Sequence, residues 1–562
     1  MNNHHLDVAL VTLLDGDLVQ FPEHLGAAYL VAEVRKAGWT IEVFPTSPDN
    51  EAEVIARITN LQPRIVGFSL TTASFLRANR VGLQLRELLG ASIHITAGGP
   101  VVSSMGTSLL RNPAWTFLDS AVRGEGEAAI KQLLLVVTGH GDFSSVPNLC
   151  YRTATDVVSN PLGGAVYDLD RLPFASRAQM FAGPFRTARI ATSRGCTSRC
   201  SFCNAPHAGN TLTGKVWRGR SPESVVDEIG SVYTKHLVRD FDFVDSTFED
   251  PGGTPAAKER IATLARSILR RNLKITFGCC VQAQNWHTDD LWLIRLLRQA
   301  GLQRVLIGLE SGSTETLRSW SKKASVADNH RAIELFRANG VYVNVGFIMF
   351  HPHSTREEVR ENVAFLQTAG CHKLRLLCTR MEVYPGTEIQ ARLRREGLLH
   401  SDYDATLNPF AYTFVDAEIG TLAYAMALLA GEEYARFGTV SDTLPPHLQF
   451  AFIDLAIHRN LDWQSKQGPE ASVCAQQFGA YYKDLCRDIS AFNLWVFDEI
   501  SRRIFAGGRP EDIAAETGRG VALWYGIKIA EINEAYRDCI KEQPPYAFPV
   551  NTFSFSDTMV SA

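Results

Sequence analysis

The stretch Ser193-Arg194-Gly195-Cys196-Thr197-Ser198-Arg199-Cys200-Ser201-Phe202-Cys203-Asn204 decides the reading of this chain. Its cysteines fall as C-x3-C-x2-C, directly after an apolar, strand-like run at 188–192. Three close thiolates can hold three irons of a [4Fe–4S] cluster, which ordinarily takes four cysteine ligands. No fourth cysteine is near, so one iron stays open to a small molecule, and an open metal position marks a catalytic site. Two other readings compete. His207 could complete a Cys3His zinc site, and cysteines can pair as disulfides. Against disulfides stand the odd count of 11 cysteines, their irregular spacing and the lack of a secretory leader.

Outward from the cysteines, strand and helix signals alternate through residues 185–400. Strands are predicted at 188–192, 240–245, 274–278, 304–310, 341–349 and 373–377. Ser221-Pro222 starts one intervening helix, with Ser221 as N-cap and Pro222 in the first turn. Six βα units predict a partial barrel, three-quarters of an eightfold one, with functional groups at the carboxyl ends of the strands. Asp245, Glu310 and Ser311 fall at such ends, and His351 and His353 follow the fifth strand. Asp245 can bond a cofactor or substrate, or cap the next turn. His351 and His353 titrate near neutrality, so each is a candidate general base or substrate contact, or else a solvated loop residue. A buried Glu310 needs a cationic partner, for which Lys322 or Lys323 is in reach along the chain.

Residues 1–140 show a second alternation, with strands predicted at 8–13, 40–44, 65–69, 93–97 and 116–120. Short apolar strands between amphipathic helices predict an open parallel sheet of flavodoxin-like, Rossmann type, which binds ligands beyond the carboxyl ends of its strands. Ser69, Leu70 and Thr71, Gly98 and Gly99, and Gly124-Glu125-Gly126 lie at those ends. Glycines there let a backbone approach a bulky ligand.

Cys196, Cys200, Phe202 and Cys203 match the C-x3-C-x-aromatic-C signature, and the chain resembles the radical S-adenosylmethionine enzymes. The landmarks Pro22-x-x-Leu25-Gly26, Gly67-Phe68-Ser69, Gly98-Gly99-Pro100 and Gly124-Glu125-Gly126-Glu127 resemble the cobalamin-binding domain fused to many of them. The resemblance implies a [4Fe–4S] cluster on the three cysteines and S-adenosylmethionine on its open iron, yielding a 5′-deoxyadenosyl radical. It further implies contacts to that cofactor from Phe202, Glu310 and Ser311, and cobalamin on Ser69, Leu70, Thr71, Gly98, Gly99, Gly124, Glu125 and Gly126. Two departures matter. The Asp-x-His-x-x-Gly motif that supplies a histidine to cobalt is absent, and His24 is out of its frame, so no histidine is expected on the lower cobalt face. Where relatives often read Gly-x-Pro-Gly-Glu-Thr after the fifth strand, this chain reads Phe350-His351-Pro352-His353-Ser354-Thr355.

Residues 141–184 read as a linker and 401–562 as a helical, aromatic-rich domain suited to a substrate lid, with helices predicted at 421–434, 448–457, 472–485, 489–505 and 521–536. The 562 residues carry a formal net charge of −4 and no long basic run, so no nucleic-acid partner is expected. No apolar stretch reaches the roughly 20 residues of a membrane span, and a cytoplasmic protein is expected. The expected activity is cobalamin-dependent methylation of an unactivated carbon in a small-molecule intermediate, with electrons from an external flavodoxin- or ferredoxin-type donor. A cobalamin-assisted oxidation, cyclisation or ring rearrangement is the alternative, and a cobalamin and iron–sulfur sensor without turnover is the alternative of another class.

Overall fold

Residues 6–13, 24–163, 166–177, 187–205, 217–371, 373–431, 446–464 and 469–539 are described by the structure, a computed structural model. His207 and the loop at 14–23, with Pro22, lie outside them. The chain forms two compact units, one of residues 1–275 and 383–411, the other of 276–382 and 412–562.

In the first unit, β1 (Val8–Leu13), β2 (Ile41–Thr46), β3 (Ile65–Ser69), β4 (His94–Gly98), β5 (Ser120–Val122), β6 (Leu149–Arg152) and β7 (Val157–Ser159) form one sheet. Its order is β2-β1-β3-β4-β5-β6-β7. β1 pairs in parallel with both β2 and β3, Val8 opposite Ile41 and Ile65. The strand order therefore reverses at β1, and the crevice between β1 and β3 is the switch point where such sheets take ligands. Continuous apolar strands are what burial on both faces requires. On one face Val31 and Val34 from helix Leu25–Lys36 and Leu133 and Leu134 from helix Glu127–Val137 bury against Val8, Leu10 and Ile65. Each such side chain contributes about 1.5–3 kcal/mol.

Two expectations shift here. The apolar run at 116–120 supplies core side chains instead of a strand, with the Trp115 ring 4.5 Å from Phe75 and 5.3 Å from Phe117, and pairing begins only at Ser120. Residues read as linker supply β6 and β7, which add antiparallel strands to the sheet.

The segment at 166–177 is fixed at both ends. The Val166 amide donates to Glu125 at 3.2 Å and the Ser176 amide to the Ala28 carbonyl at 3.0 Å. Arg177 reaches Glu228 at 2.7 Å, and Arg220 bonds the other oxygen of that carboxylate at 2.5 Å. All three side chains are buried.

The first unit also holds β8 (Thr187–Ile190), in parallel with β11 (Asp240–Phe243), and the short antiparallel pair β9 (Ser193–Gly195) and β10 (Trp217–Gly219). Ser221 caps helix Pro222–Lys235 as expected, accepting the Ser224 amide at 3.2 Å. In the second unit β12 (Thr276–Val281), β13 (Leu302–Glu310) and β14 (Tyr342–Phe347) pair in parallel, each followed by helices. The expected strand at 373–377 is instead a short helix, Leu374–Cys378. Leu376, Leu377 and Cys378 are buried in succession, which one apolar helical turn allows and a half-buried strand does not. A single parallel bridge, Phe350 to Arg380, stands where a sixth strand would begin.

The chain continues through helices Ala417–Ala430, Pro446–Gln464, Pro469–Phe505 and Pro510–Cys539. The helices expected at 472–485 and 489–505 are one, because Cys486-Arg487-Asp488 contains no breaker. The last begins at Pro510, well before 521.

Candidate functional site

The cysteine loop is held by acids from the neighbouring strand end. Asp245, fully buried just beyond β11, accepts the Thr192 hydroxyl at 3.0 Å and the Ser193 hydroxyl at 2.7 Å. Burial pushes its carboxyl above the ordinary value, while Ser193 and the charge of Arg260 pull the other way. Both oxygens thus fix the chain entering the loop. Asp250 takes the Thr197 amide at 3.0 Å and its hydroxyl at 2.6 Å. Cys196 and Cys200 are buried and Cys203 half-buried. The Ser198 amide donates to the Cys196 sulfur at 3.4 Å, which suits a metal-bound thiolate, and the Thr247 hydroxyl lies 3.8 Å from the same sulfur. Among the described residues no three His, Cys, Asp or Glu side chains converge on one metal ion, and no disulfide forms. In a cluster each thiolate takes its own iron, so the donor set fits a [4Fe–4S] group.

A cavity of about 430 Å³ occupies the β1/β3 switch point. Ser69, Gly98, Gly99, Gly124, Glu125 and Gly126 line it, while Leu70 and Thr71 do not. Leu70 is buried behind Gly99, where an added Cβ would lie 2.7 Å from the Leu70 carbonyl oxygen, and Gly99 has φ +104°. Thr71 turns back on Ser74. The glycine floor and the apolar wall of Leu10, Ile41 and Ile130 fit part of a large ligand such as cobalamin.

His24 also lines the cavity. Its Nδ1 accepts the Ala27 amide at 3.1 Å, capping the helix, which puts the proton of the neutral ring on Nε2, 3.1 Å from the Ser69 hydroxyl. Burial lowers its pKa, which favours that neutral form. Neither nitrogen keeps a lone pair for a metal.

The same cavity reaches Ala191, Arg194 and Val244. Arg194, two residues before Cys196, pairs with Glu127 at 2.6 Å and Glu125 at 3.1 Å, and its guanidinium lies over Tyr29 at 5.2 Å. Arg218, opposite Arg194 in the β9/β10 register, pairs with Glu125 at 2.5 Å. Burial pushes the Glu125 carboxyl up, but the two arginines outweigh it and hold the pKa below the ordinary value.

In the second unit Glu310 ends β13 at a register shift, with φ +68°. Such a conformation in a non-glycine residue stores strain of the kind found at functional sites. Its Oε1 lies 3.0 Å from Lys322 Nζ, so Lys322 is the partner. A Cβ on Gly308 would lie 2.5 Å from that oxygen and 3.1 Å from the Lys322 nitrogen. Ser311 is buried and donates to Asn362 at 2.9 Å while accepting the Ser313 amide at 3.0 Å, so its hydroxyl holds the turn. His351 is buried, with Nε2 2.8 and 2.9 Å from the Glu358 oxygens and Nδ1 accepting the His353 amide at 3.3 Å. His353 is half-buried, as is Phe202 in the cysteine loop. Sequence reasoning missed Asp250, Arg194 and Arg218. The first had only the Asp-Pro dipeptide as a signal, and the arginines had only their flanking of the glycines in Arg-Gly-Cys and Arg-Gly-Arg.

The radical SAM superfamily model matches residues 190–366, and the B12-binding domain model matches residues 13–134. An uncharacterized methyltransferase of Pyrococcus horikoshii is 24% identical over 398 residues, 70% of this chain and 82% of that protein. An anaerobic magnesium-protoporphyrin IX monomethyl ester cyclase of Rubrivivax gelatinosus is 28% identical over 59% of this chain, which spans 60% of the cyclase. The structure of the cobalamin-dependent S-adenosylmethionine radical enzyme OxsB, with aqua-cobalamin and S-adenosylmethionine bound, superimposes with TM-score 0.63 at 19% identity, over 95% of this chain and 84% of that one, a likeness of fold.

Proposed function

Because this chain belongs to the cobalamin-binding radical S-adenosylmethionine enzymes, with a [4Fe–4S] cluster, S-adenosylmethionine and cobalamin as cofactors, we propose that it methylates an unactivated carbon of a small-molecule intermediate. When bound, these groups supply a radical able to remove hydrogen from carbon, and a methyl group for that carbon. We assign the cluster to Cys196, Cys200 and Cys203, the S-adenosylmethionine contacts to Phe202 and Glu310, with Ser311 setting the Glu310 turn, and the cobalamin contacts to the loops at Ser69, Gly98-Gly99 and Gly124-Glu125-Gly126.

One observation carries the reading. The cavity lined by the sheet's glycine loops also takes in Arg194, two residues from Cys196, so a ligand there touches the strand that presents the cluster loop. Arg194 and Arg218 hold the Gly124–Glu127 loop by its carboxylates, while Asp245 and Asp250 hold the other side of the cysteine loop. Asp245 holds the cysteine loop and His351 is bonded to Glu358, and His353 is the candidate base of this proposal. The division at about 185 and 400, with 401–562 as substrate lid, belongs to the same proposal, and the boundary expected at about 140 moves past β7. No helix among the described residues is long and apolar enough to cross a membrane. We place the protein in the cytoplasm, served by a flavodoxin- or ferredoxin-type donor.

The test is anaerobic turnover with methyl-labelled S-adenosylmethionine. Label should appear on product, with S-adenosylhomocysteine and 5′-deoxyadenosine in about equal amounts. Deoxyadenosine with altered but unlabelled substrate, and no S-adenosylhomocysteine, would establish an oxidation or rearrangement instead.

A further inference from the structure

The second unit holds a separate cavity of about 640 Å³. It runs along the outer edge of β14, the last strand of its sheet, where residues 341–345 line it. The cause is local. Leu374–Cys378 coils into a helix instead of pairing with β14, and the space of the missing strand stays open. The cavity starts at the amino end of β14, whereas Glu310 and His351 lie at or beyond the carboxyl ends of β13 and β14. It is therefore distinct from the positions assigned to S-adenosylmethionine.

The floor is a closed polar cluster. Asp454 accepts the Tyr342 hydroxyl at 2.7 Å and the Tyr482 hydroxyl at 2.9 Å, and pairs with Lys373 at 3.2 Å. Lys373 also donates to the Tyr342 oxygen. One lysine thus answers the one carboxylate among the described residues of the lining. The other cations have no such answer. Arg337 is bonded to the carbonyls of Ala369 and Gly370 and the Cys371 sulfur. Among the described residues Lys483 makes no hydrogen bond or ion pair, and Arg375, outside the lining itself, reaches only its Asn344 at 3.5 Å. Arg487 alone is matched, by Asp484. Burial keeps the His458 imidazole, also in the lining, toward its neutral form. The remaining wall is mostly apolar, with Val343, Val345, Leu376 and Leu494, interrupted by Asn344, Gln367 and Ser490.

A cavity of this size, apolar with a few convergent polar groups, has the character of a small-molecule site. Its surplus of positive charge selects the head group, since guanidinium and ammonium groups bind carboxylate or phosphate by charge-assisted hydrogen bonds. We propose that this cavity binds an organic anion, a carboxylate or phosphate on an apolar body no larger than a nucleotide, away from the reacting centre. The ligand's head meets Lys483 in the lining, with Arg375 adding positive charge from beside Asn344, and its body lies on the valines of β14.

The experiment is isothermal titration of the full-length protein with three probes that share one body: 2-naphthoate, 2-naphthyl phosphate and neutral 2-naphthalenemethanol. At least one anion should bind with 1:1 stoichiometry, about tenfold or more tighter than the alcohol. The tighter of the two anions tells whether the natural head is a carboxylate or a phosphate ester. Arg375→Glu/Lys483→Glu, two exposed positions, should erase the anion's advantage with an unchanged circular dichroism spectrum. Ala491→Trp, at an exposed position in the lining, should weaken all three probes. The proposal is overturned if no probe binds, if the alcohol equals the anions, or if charge reversal leaves the preference intact.

Discussion

Truncating Arg194 to alanine should loosen the cysteine loop by a calculable amount. The guanidinium makes charge-assisted contacts with Glu127 at 2.6 Å and Glu125 at 3.1 Å and covers the Tyr29 ring. The side chains of Arg194, Glu125 and Glu127 are only 20%, 13% and 8% exposed. The shorter contact is worth about 1.5–3 kcal/mol, and the ring contact about 0.5–2 kcal/mol. Glu125 keeps Arg218, but Glu127 keeps only the amino end of its own helix, which offsets about 0.3–1 kcal/mol. The net loss is about 2–4 kcal/mol. Hydrogen exchange of the amides at 193–204, read by mass spectrometry, measures that opening locally. Exchange should accelerate about thirtyfold to several-hundredfold, and Arg194→Lys should fall between, because an ammonium cannot span two carboxylates with a fixed fork. A double-mutant cycle with Glu127→Gln should give a coupling of about 1 kcal/mol or more. Coupling under about 0.5 kcal/mol, with unchanged exchange, would refute the clasp.

Replacing Cys196, Cys200 and Cys203 with alanine should remove about four irons and all 5′-deoxyadenosine formation, whereas retained zinc and activity would end the iron–sulfur assignment. Electron paramagnetic resonance of the Co(II) form should show no splitting from a protein imidazole nitrogen, in wild type and in His24→Ala alike, since both His24 nitrogens are engaged. Gly308→Ala should weaken S-adenosylmethionine binding about tenfold or more by displacing Glu310 and Lys322, with little change in melting temperature. His94, stacked on Phe143 and bonded to Ser120 at 2.8 Å, has its pKa lowered by burial from 6.5 to about 4. Its folded form binds fewer protons than the unfolded chain, so it supports stability above pH 6.5 and should lose that support progressively toward pH 4. Denaturation of His94→Gln across that window should show a flatter slope.

Local signals were enough for much of this architecture. The spacing of Cys196, Cys200 and Cys203, the glycines at 98–99 and 124–126, and the Ser221-Pro222 helix start all act within a few residues. What escaped depends on distant partners. The run at 373–377 has strand-like composition, yet its burial is decided by contacts that periodicity does not carry. Asp245 and His351 look reactive in one dimension, and only the fold shows their polar atoms engaged by Ser193 and Glu358. Arg194 and Arg218 become legible only once β9 and β10 pair.

The fixed segment at 166–177 bears on how this protein can be taken apart. Glu228 is saturated by Arg177 and Arg220, and Ser176 is bonded to Ala28. Removing one arginine from such a buried carboxylate costs about 3–5 kcal/mol. The amino-terminal sheet and the first barrel strands are therefore not interchangeable modules. A cut near 150 passes through β6, and one near 185 strips Glu228 of Arg177. Chimeras exchanging the corrinoid-binding half between relatives should express as soluble protein only when the junction carries the donor's segment together with the matching glutamate. The first unit should accordingly melt as one calorimetric transition.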